Sequence, residues 1–304
     1  MTDKSYRVPD RVAARVAQLG DHGKAWLAAL PSIIDECTAR WFLDVEDPFD
    51  PLWYNYVAKV TCKNEPAVLK VCCPGHEIEQ EVAALQLFDG RMCVRLIAFD
   101  LELGALVLER AEPGLMIETM SDDSAEIAAA ARLMRGLWRP VQPAHVFPLI
   151  SDWLTAAQDR DHLTQVKRQD AWITRLLDRA AELTGDADRL RVLHGDLHHG
   201  NILSAQREPW LAIDPKGLVG YPEWEVGVFL FNSLKKEEPA ERPRLVRMRA
   251  DQFVHELSFD RHALYTWAAV AALHAQYWSL RDEPGSGRNW DAAMVCAEML
   301  AEGI

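Results

Sequence analysis

The sequence lacks any excess of basic residues: 33 Lys and Arg stand against 46 Asp and Glu, a net charge of −13. Such a chain has no surplus to neutralise a phosphate backbone, which excludes a general nucleic-acid binder, and an acidic surface favours cationic small molecules. Cys-x-x-Cys spacing is missing as well, and the six cysteines, Cys37, Cys62, Cys72, Cys73, Cys93 and Cys296, read as reduced structural thiols. No apolar run approaches the roughly 18 residues of a membrane span, and no signal-type apolar region follows the first residues. The expectation is a cytoplasmic protein with no membrane partner. Internal repeats and low-complexity tracts are also absent.

What is present is the composition of a folded protein, 49% hydrophobic and 26% charged over 304 residues. Between Asp10 and Trp41, apolar residues recur at three- and four-residue steps (Val12, Val16 and Leu19, then Trp26, Leu27, Leu30 and Ile34), interrupted at Gly20-Asp-His-Gly23. Two helices are expected there. Tyr54–Val60 and Ala67–Val71 are strand-like, with Lys63–Pro66 as the turn between them. His76–Phe88 returns to helical period, and Leu96–Phe99 with Ala105–Glu109 forms a second hairpin turning at Glu102–Gly104. Beyond Gly114 the pattern is mainly helical (Ala125–Trp138, Gln169–Leu183, Arg261–Leu280), broken by two short β-like pieces, Arg191–Leu193 and Leu211–Ile213. The expected organisation is an N-terminal helical segment (1–45), a β-rich nucleotide-binding lobe (46–111) and a helical lobe with the catalytic loop and acceptor site (112–304).

The two β-like pieces flank His194-Gly-Asp-Leu-His-His-Gly-Asn201, and the second leads into Asp214. Asn201 lies five positions after Asp196. Phosphoryl transfer from a metal-bound nucleoside triphosphate needs one carboxylate to accept the acceptor hydroxyl's proton, and an amide with a second carboxylate to hold Mg²⁺. Asp196 fits the first role, Asn201 and Asp214 the second. His194 reads as an anchor of the loop; His198 and His199 read either as partly exposed loop residues or as contacts to the phosphates, the former being favoured for His199.

Lys70 ends an apolar strand and requires an anionic partner if it faces inward. Among the acids of the following helix, Glu81 has Ile78 three before it, Leu85 four after and Phe88 seven after, which puts it on the apolar stripe. A Lys70–Glu81 ion pair that positions nucleotide phosphates is therefore expected. Glu109, Arg110 and Ala111 follow the next apolar strand and would offer main-chain groups to adenine, while Lys216 is either close enough to Asp214 to reach the transferred phosphate or a solvent-facing turn lysine. No Gly-x-Gly-x-x-Gly lies between Leu52 and Lys70, so phosphate cover must come from Tyr54-Asn-Tyr56 and its turn. Asp152, Glu223, Trp224, Glu225, Trp267, Tyr277 and Trp278 are candidates for an acceptor pocket, although core or surface explains each as well.

Two other classes compete. His194, Asp196, His198 and His199 also make up a dense His/Asp set of metallohydrolase type, a reading that leaves Asn201, Lys70 and Asp214 without a role. A non-catalytic nucleotide-binding module would be expected to lack at least one of Lys70, Asp196, Asn201 and Asp214.

Val68-Leu-Lys-Val71, Leu108-Glu-Arg110 with Pro113-Gly114, the stretch Val192–Leu203 and Trp210-Leu-Ala-Ile-Asp-Pro-Lys-Gly-Leu-Val-Gly220 resemble the aminoglycoside/hydroxyurea antibiotic resistance kinases, the streptomycin 6-phosphotransferase branch of the aminoglycoside phosphotransferase superfamily. The resemblance implies an α+β, protein-kinase-like bilobal fold: a small antiparallel sheet with one helix, a larger helical lobe and an N-terminal helical extension. It further implies ATP with Mg²⁺, Asp196 as base, Asn201 and Asp214 on the metal, Lys70 on the phosphates, and transfer to a hydroxyl of a streptomycin-like aminoglycoside or to hydroxyurea. Where many members carry Asp, this chain has Glu225; if that acid braces the catalytic loop, its extra methylene shifts the loop and opens the way to a different acceptor, such as a sugar or amino alcohol.

Overall fold

Alternation of apolar side chains along residues 56–71 builds the first sheet. In the computed structural model the described residues are 6–50, 54–75, 77–152, 171–234, 237–282 and 290–302. They divide into two compact units, Met1–Gly114 and Leu115–Ile304.

In the first unit, α1 (Asp10–Ala17) and α2 (Asp21–Trp41) precede β1 (Leu43–Pro48), β2 (Tyr56–Cys62), β3 (Glu65–Val71), α3 (Ile78–Phe88), β4 (Leu96–Asp100) and β5 (Ala105–Glu109). The sheet runs β1-β2-β3-β5-β4 with antiparallel neighbours. Tyr56, Ala58, Val60 and Cys62 of β2 and Ala67, Leu69 and Val71 of β3 point to one face, where they share a core with Val12, Val16, Trp26, Leu30 and Ile34 of the two helices. Lys70 points to the opposite face.

Three local expectations need correction. The break between α1 and α2 covers only residues 18–20, and Gly23 sits buried inside α2 because the helices touch there: a Cβ on Gly23 would lie 1.9 Å from the Val16 carbonyl oxygen. The first hairpin turns on Lys63-Asn64 alone, both at positive φ (50° and 67°) as a two-residue turn with matching twist requires, so Glu65 and Pro66 belong to β3. Strand β1 was not expected. It is an edge strand whose Asp44, Glu46 and Asp47 face solvent wholly or in part, so no period of two marks it. His76, expected to begin α3, lies outside the described residues.

The second unit contains α4 (Asp123–Leu137), β7 (Arg139–Pro140), α5 (Ala171–Leu183), β8 (Arg191–Leu193), β9 (Ile202–Ala205), β10 (Trp210–Ala212), β11 (Leu218–Gly220), α6 (Pro222–Ser233), α7 (Arg242–Leu257), α8 (Arg261–Asp282) and α9 (Trp290–Ala301), with β6 (Pro113–Met116) at the junction of the units. Asp122 caps α4 by accepting from the Ser124 and Ala125 amides at 2.9 and 3.1 Å. Helix α8 is buried on every side from Ala263 to His274, as its uniformly apolar sequence demands, and packs on α6 and α9. More short strands interrupt the helices than the expected two, because strands of two to four residues such as β7, β9 and β11 carry too few side chains to show a period. Two small antiparallel ladders hold the loops of interest: β11-β8-β7, and the β9–β10 pair.

Candidate active site

In the first unit, β3 carries Lys70 on the face opposite the helical core, and α3 lays Glu81 along the stripe it shares with Val82, Leu85 and Phe88. Lys70 Nζ lies 2.7 Å from both Glu81 carboxylate oxygens, with both side chains almost wholly buried. Two charges survive burial only when paired so closely, and the pair fixes the ammonium in space. Further on, the Glu109 carboxylate accepts from the Arg95 amide at 2.9 Å, and Arg110 bridges Glu112 and Glu46, each at 3.1 Å. Both side chains thus brace the chain and leave main chain at 109–111 as the feature of that stretch. Asn55 Oδ1 accepts from the Cys73 amide at 3.0 Å, tying the Tyr54-Asn-Tyr56 stretch to the end of β3.

In the second unit, β8 leads into His194, and the loop returns through a single turn of 3₁₀ helix, His199–Asn201, into β9. Gly195 holds φ at +88°, and a Cβ there would meet the Leu218 and Lys216 Cβ atoms at 3.2 and 3.3 Å, so only glycine passes. His194 is wholly buried. Its Nε2 lies 2.9 Å from the Ile213 carbonyl and its Nδ1 accepts the Asp196 amide at 3.3 Å, which assigns the ring proton to Nε2. Burial pushes the imidazole down to about 4, against the upward pull of the Ile213 carbonyl and Asp214. It is a neutral strut between the Asp196 loop and the strand before Asp214, not a proton donor.

Asn201 Nδ2 donates to the Asp196 carbonyl at 2.9 Å, and the Asn201 carbonyl accepts the Ile213 amide at 3.0 Å. These bonds tie Asn201 to the Asp196 main chain on one side and to Ile213, the neighbour of Asp214, on the other, and neither of them uses the oxygen of the Asn201 side-chain amide. Asp214 sits at φ 59°, a left-handed conformation uncommon outside glycine, and Lys216 Nζ approaches its carboxylate at 3.5 Å. The Lys216 and Gly217 amides both donate to the His194 carbonyl, at 2.8 and 3.0 Å. Hard oxygen donors of this kind suit Mg²⁺.

Glu225, near the start of α6, braces this loop from beneath. Its carboxylate accepts from the Gly195 amide at 2.8 Å, the His194 amide at 3.3 Å and the Trp138 indole at 2.8 Å. Burial drives the carboxyl up to about 7, the three donors opposing that rise and the nearby Asp196 charge adding to it.

Over residues 53–283 the chain matches the family described as aminoglycoside/hydroxyurea antibiotic resistance kinase. The chain belongs to this aminoglycoside/hydroxyurea antibiotic resistance kinase family. Similarity to the streptomycin 6-kinase of Streptomyces glaucescens extends over 98% of both chains at 32% identity. Among solved structures, a choline kinase from Streptococcus pneumoniae superposes with a TM-score of 0.67 at 16% identity, over 90% of this chain and 99% of that one. A thermostable mutant of an aminoglycoside phosphotransferase, in ternary complex with ADP and hygromycin B, superposes with a TM-score of 0.60 at 16% identity over 88% and 98%. The fold is the protein-kinase-like fold of these enzymes, and this resistance-kinase family member is a nucleotide-using phosphotransferase with a hydroxyl acceptor.

The metallohydrolase reading fails on geometry. His194 is committed to Ile213, His198 accepts the Gly200 amide at 3.0 Å, and His199 faces Glu126 at 3.0 Å. Among the described residues no three His, Cys, Asp or Glu side chains are placed to hold a metal. His199 is also not the partly exposed residue expected: it is buried, stacked on Phe229 with ring centroids 3.8 Å apart. The signal for its partner was Glu126 itself, an acid in register with Ala130, Leu133 and Leu137 on the buried face of α4. Of the acceptor-pocket candidates, Trp224 and Trp267 belong to the core, with Tyr221 stacked on Trp267 at 4.7 Å, and buried Glu223 pairs with Arg189. Asp152 is exposed and accepts the Leu149 amide, while the side chains of Tyr277 and Trp278 lie outside the described residues. No helix among the described residues is long and apolar enough to cross a membrane.

Proposed function

We propose that this kinase transfers the γ-phosphoryl group of ATP to a hydroxyl of a streptomycin-like, cationic aminoglycoside in the cytoplasm, without nucleic-acid or membrane partners. The observation that carries this is the bonding of Asn201 to the Asp196 main chain and to Ile213, beside Asp214, in a chain that matches a streptomycin 6-kinase from end to end. Residues 46–111 are assigned to the nucleotide, with Lys70 on its phosphates and the main chain of Glu109, Arg110 and Ala111 on its base; residues 112–304 are assigned to catalysis and the acceptor. Asn201 and Asp214 would hold Mg²⁺, which when bound offsets phosphate charge. The Asp196 carboxylate accepts the acceptor's hydroxyl proton as that oxygen attacks phosphorus in line and the O–P bond to the leaving ADP breaks. Lys70, locked by Glu81, and Lys216 offset the negative charge that develops on the phosphoryl oxygens. Most of the acceleration then comes from positioning.

The sequence retains Lys70, Asp196, Asn201 and Asp214, which speaks against a non-catalytic module. Hydroxyurea, sugars and amino alcohols complete the test panel, since the family description names hydroxyurea. Coupled measurement of ADP release should show turnover that depends on streptomycin; equal ADP release with and without every acceptor would refute the proposal.

A further inference from the structure

The sequence that joins β1 to β2, Phe49-Asp-Pro-Leu-Trp-Tyr-Asn55, contains no glycine. A glycine-rich turn brings its own amides up to phosphate because no side chain stands in the way. Without glycine, the residues that enter β2 depend on contacts from outside the turn to hold their place.

Those contacts come from two directions. Across the sheet, Asn55 Oδ1 accepts the Cys73 amide at 3.0 Å, and Val57, two residues on, stands opposite Lys70 in the β2–β3 register. Tyr54 and Asn55 therefore lie at the end of the β2–β3 pair just beyond Lys70. From the helical side, Tyr54 packs on the core that contains Val12 and Val16 of α1. There the Arg15 guanidinium donates to the Tyr54 hydroxyl at 3.1 Å, and its Cζ lies 5.4 Å from the centroid of the Tyr54 ring. One half-buried cation thus holds the hydroxyl and the ring together, a stronger grip than either contact alone. Arg7 adds an ion pair with Asp50 at 3.3 Å, but both side chains are more than half exposed and the pair contributes little. Helices α1 and α2 pack on the face of the sheet opposite Lys70, so Arg15 acts on the Lys70 side only through Tyr54.

We propose that Arg15 is a positioning residue for the nucleotide: by fixing Tyr54 it sets the entry of β2 against the phosphates that Lys70 binds. The N-terminal helical segment is then part of the phosphotransfer apparatus as well as of the core. This inference rests on the assignment of residues 46–111 to the nucleotide.

The test titrates the full chain, with Mg²⁺, with a nonhydrolysable ATP analogue and in parallel with adenosine, which has the base but no phosphates. Wild type should bind the analogue more tightly than adenosine. Arg15→Leu and Tyr54→Leu should each weaken the analogue roughly threefold to tenfold and leave adenosine within about twofold. Tyr54→Phe, which removes only the hydroxyl, should show the same selective loss at roughly twofold to threefold. The double variant Arg15→Leu/Tyr54→Leu should be no weaker than Tyr54→Leu, because Arg15 acts through that ring. Unchanged analogue affinity in Arg15→Leu and Tyr54→Phe would overturn the inference and leave the nucleotide assignment standing. So would equal losses for the analogue and adenosine, the mark of a merely structural contact, or losses that multiply in the double variant. A wild-type chain that binds the analogue no more tightly than adenosine would overturn the phosphate assignment itself, and the inference with it.

Discussion

Replacing Glu225 by Gln should disable the catalytic loop without emptying the core. The wild-type carboxylate receives three donors, the amides of His194 and Gly195 and the Trp138 indole. An amide in its place keeps one acceptor oxygen and turns an NH₂ group toward a donor. The loss of one charge-assisted bond plus the donor-donor conflict costs roughly 2–4 kcal/mol. A displaced Gly195 carries Asp196 with it, and a misplacement on the order of 1 Å lowers kcat by roughly 10- to 100-fold. Protonation should do the same, since the Glu225 hydroxyl would find only donors around it. With the carboxyl raised to about 7, the loop is braced above that pH and loosened below it, so wild-type kcat should fall through a limb near pH 7 that the Gln variant lacks. Stability runs the other way. A carboxyl raised in the folded state from 4.5 binds its proton more tightly there than in the unfolded chain, so this group's contribution declines by roughly 3 kcal/mol as pH climbs from 4.5 to about 7 and is constant above. The direct assay is the Gly195 backbone amide resonance, which should titrate with a midpoint near pH 7. A Gly195 signal indifferent to pH between about 5.5 and 8.5, or a Gln variant with wild-type kcat, would refute the reasoning.

Lys70→Met should lower thermal stability by roughly 3–5 kcal/mol, because Glu81 is left charged and buried, and should abolish phosphotransfer; adding Glu81→Leu should restore the melting temperature but not the activity, and recovery of both would contradict the phosphate role. His199→Phe keeps the stack on Phe229 but strands Glu126, so the turn bearing Asn201 loosens; the expected outcome is a several-fold rise in the Mg²⁺ concentration for half-maximal rate, on the order of 1 kcal/mol, against an unchanged acceptor KM. Lys216→Ala should lower kcat by roughly tenfold with little change in melting temperature, since the lysine is partly exposed; an unaltered kcat would return Lys216 to the status of a turn residue.

Much of this site was legible because its chemistry is compressed into short windows. Five residues separate Asp196 from Asn201, and Glu81 declared its direction by its place among Ile78, Leu85 and Phe88. The strand carrying Lys70 was legible from its apolar run Ala67–Val71. Contacts made across long sequence separations were not legible. His199 and Glu126 are 73 residues apart, and Trp138 meets Glu225 across 87. Only the position of Glu126 on an apolar stripe hinted at such a partner. Strand β1 was missed because an edge strand with one solvated side tolerates Asp44, Glu46 and Asp47, and the Lys63-Asn64 turn was drawn too long because Pro66 reads as a breaker even though it pairs with Thr61.

The central claim is that Asp196 takes the acceptor's proton while Asn201 and Asp214 serve the metal. The most direct measurement is streptomycin-dependent ADP release by Asp196→Asn beside its affinity for a nonhydrolysable ATP analogue. The account predicts a fall in kcat of at least about 100-fold with nucleotide affinity retained, and near-normal turnover in that variant would contradict it.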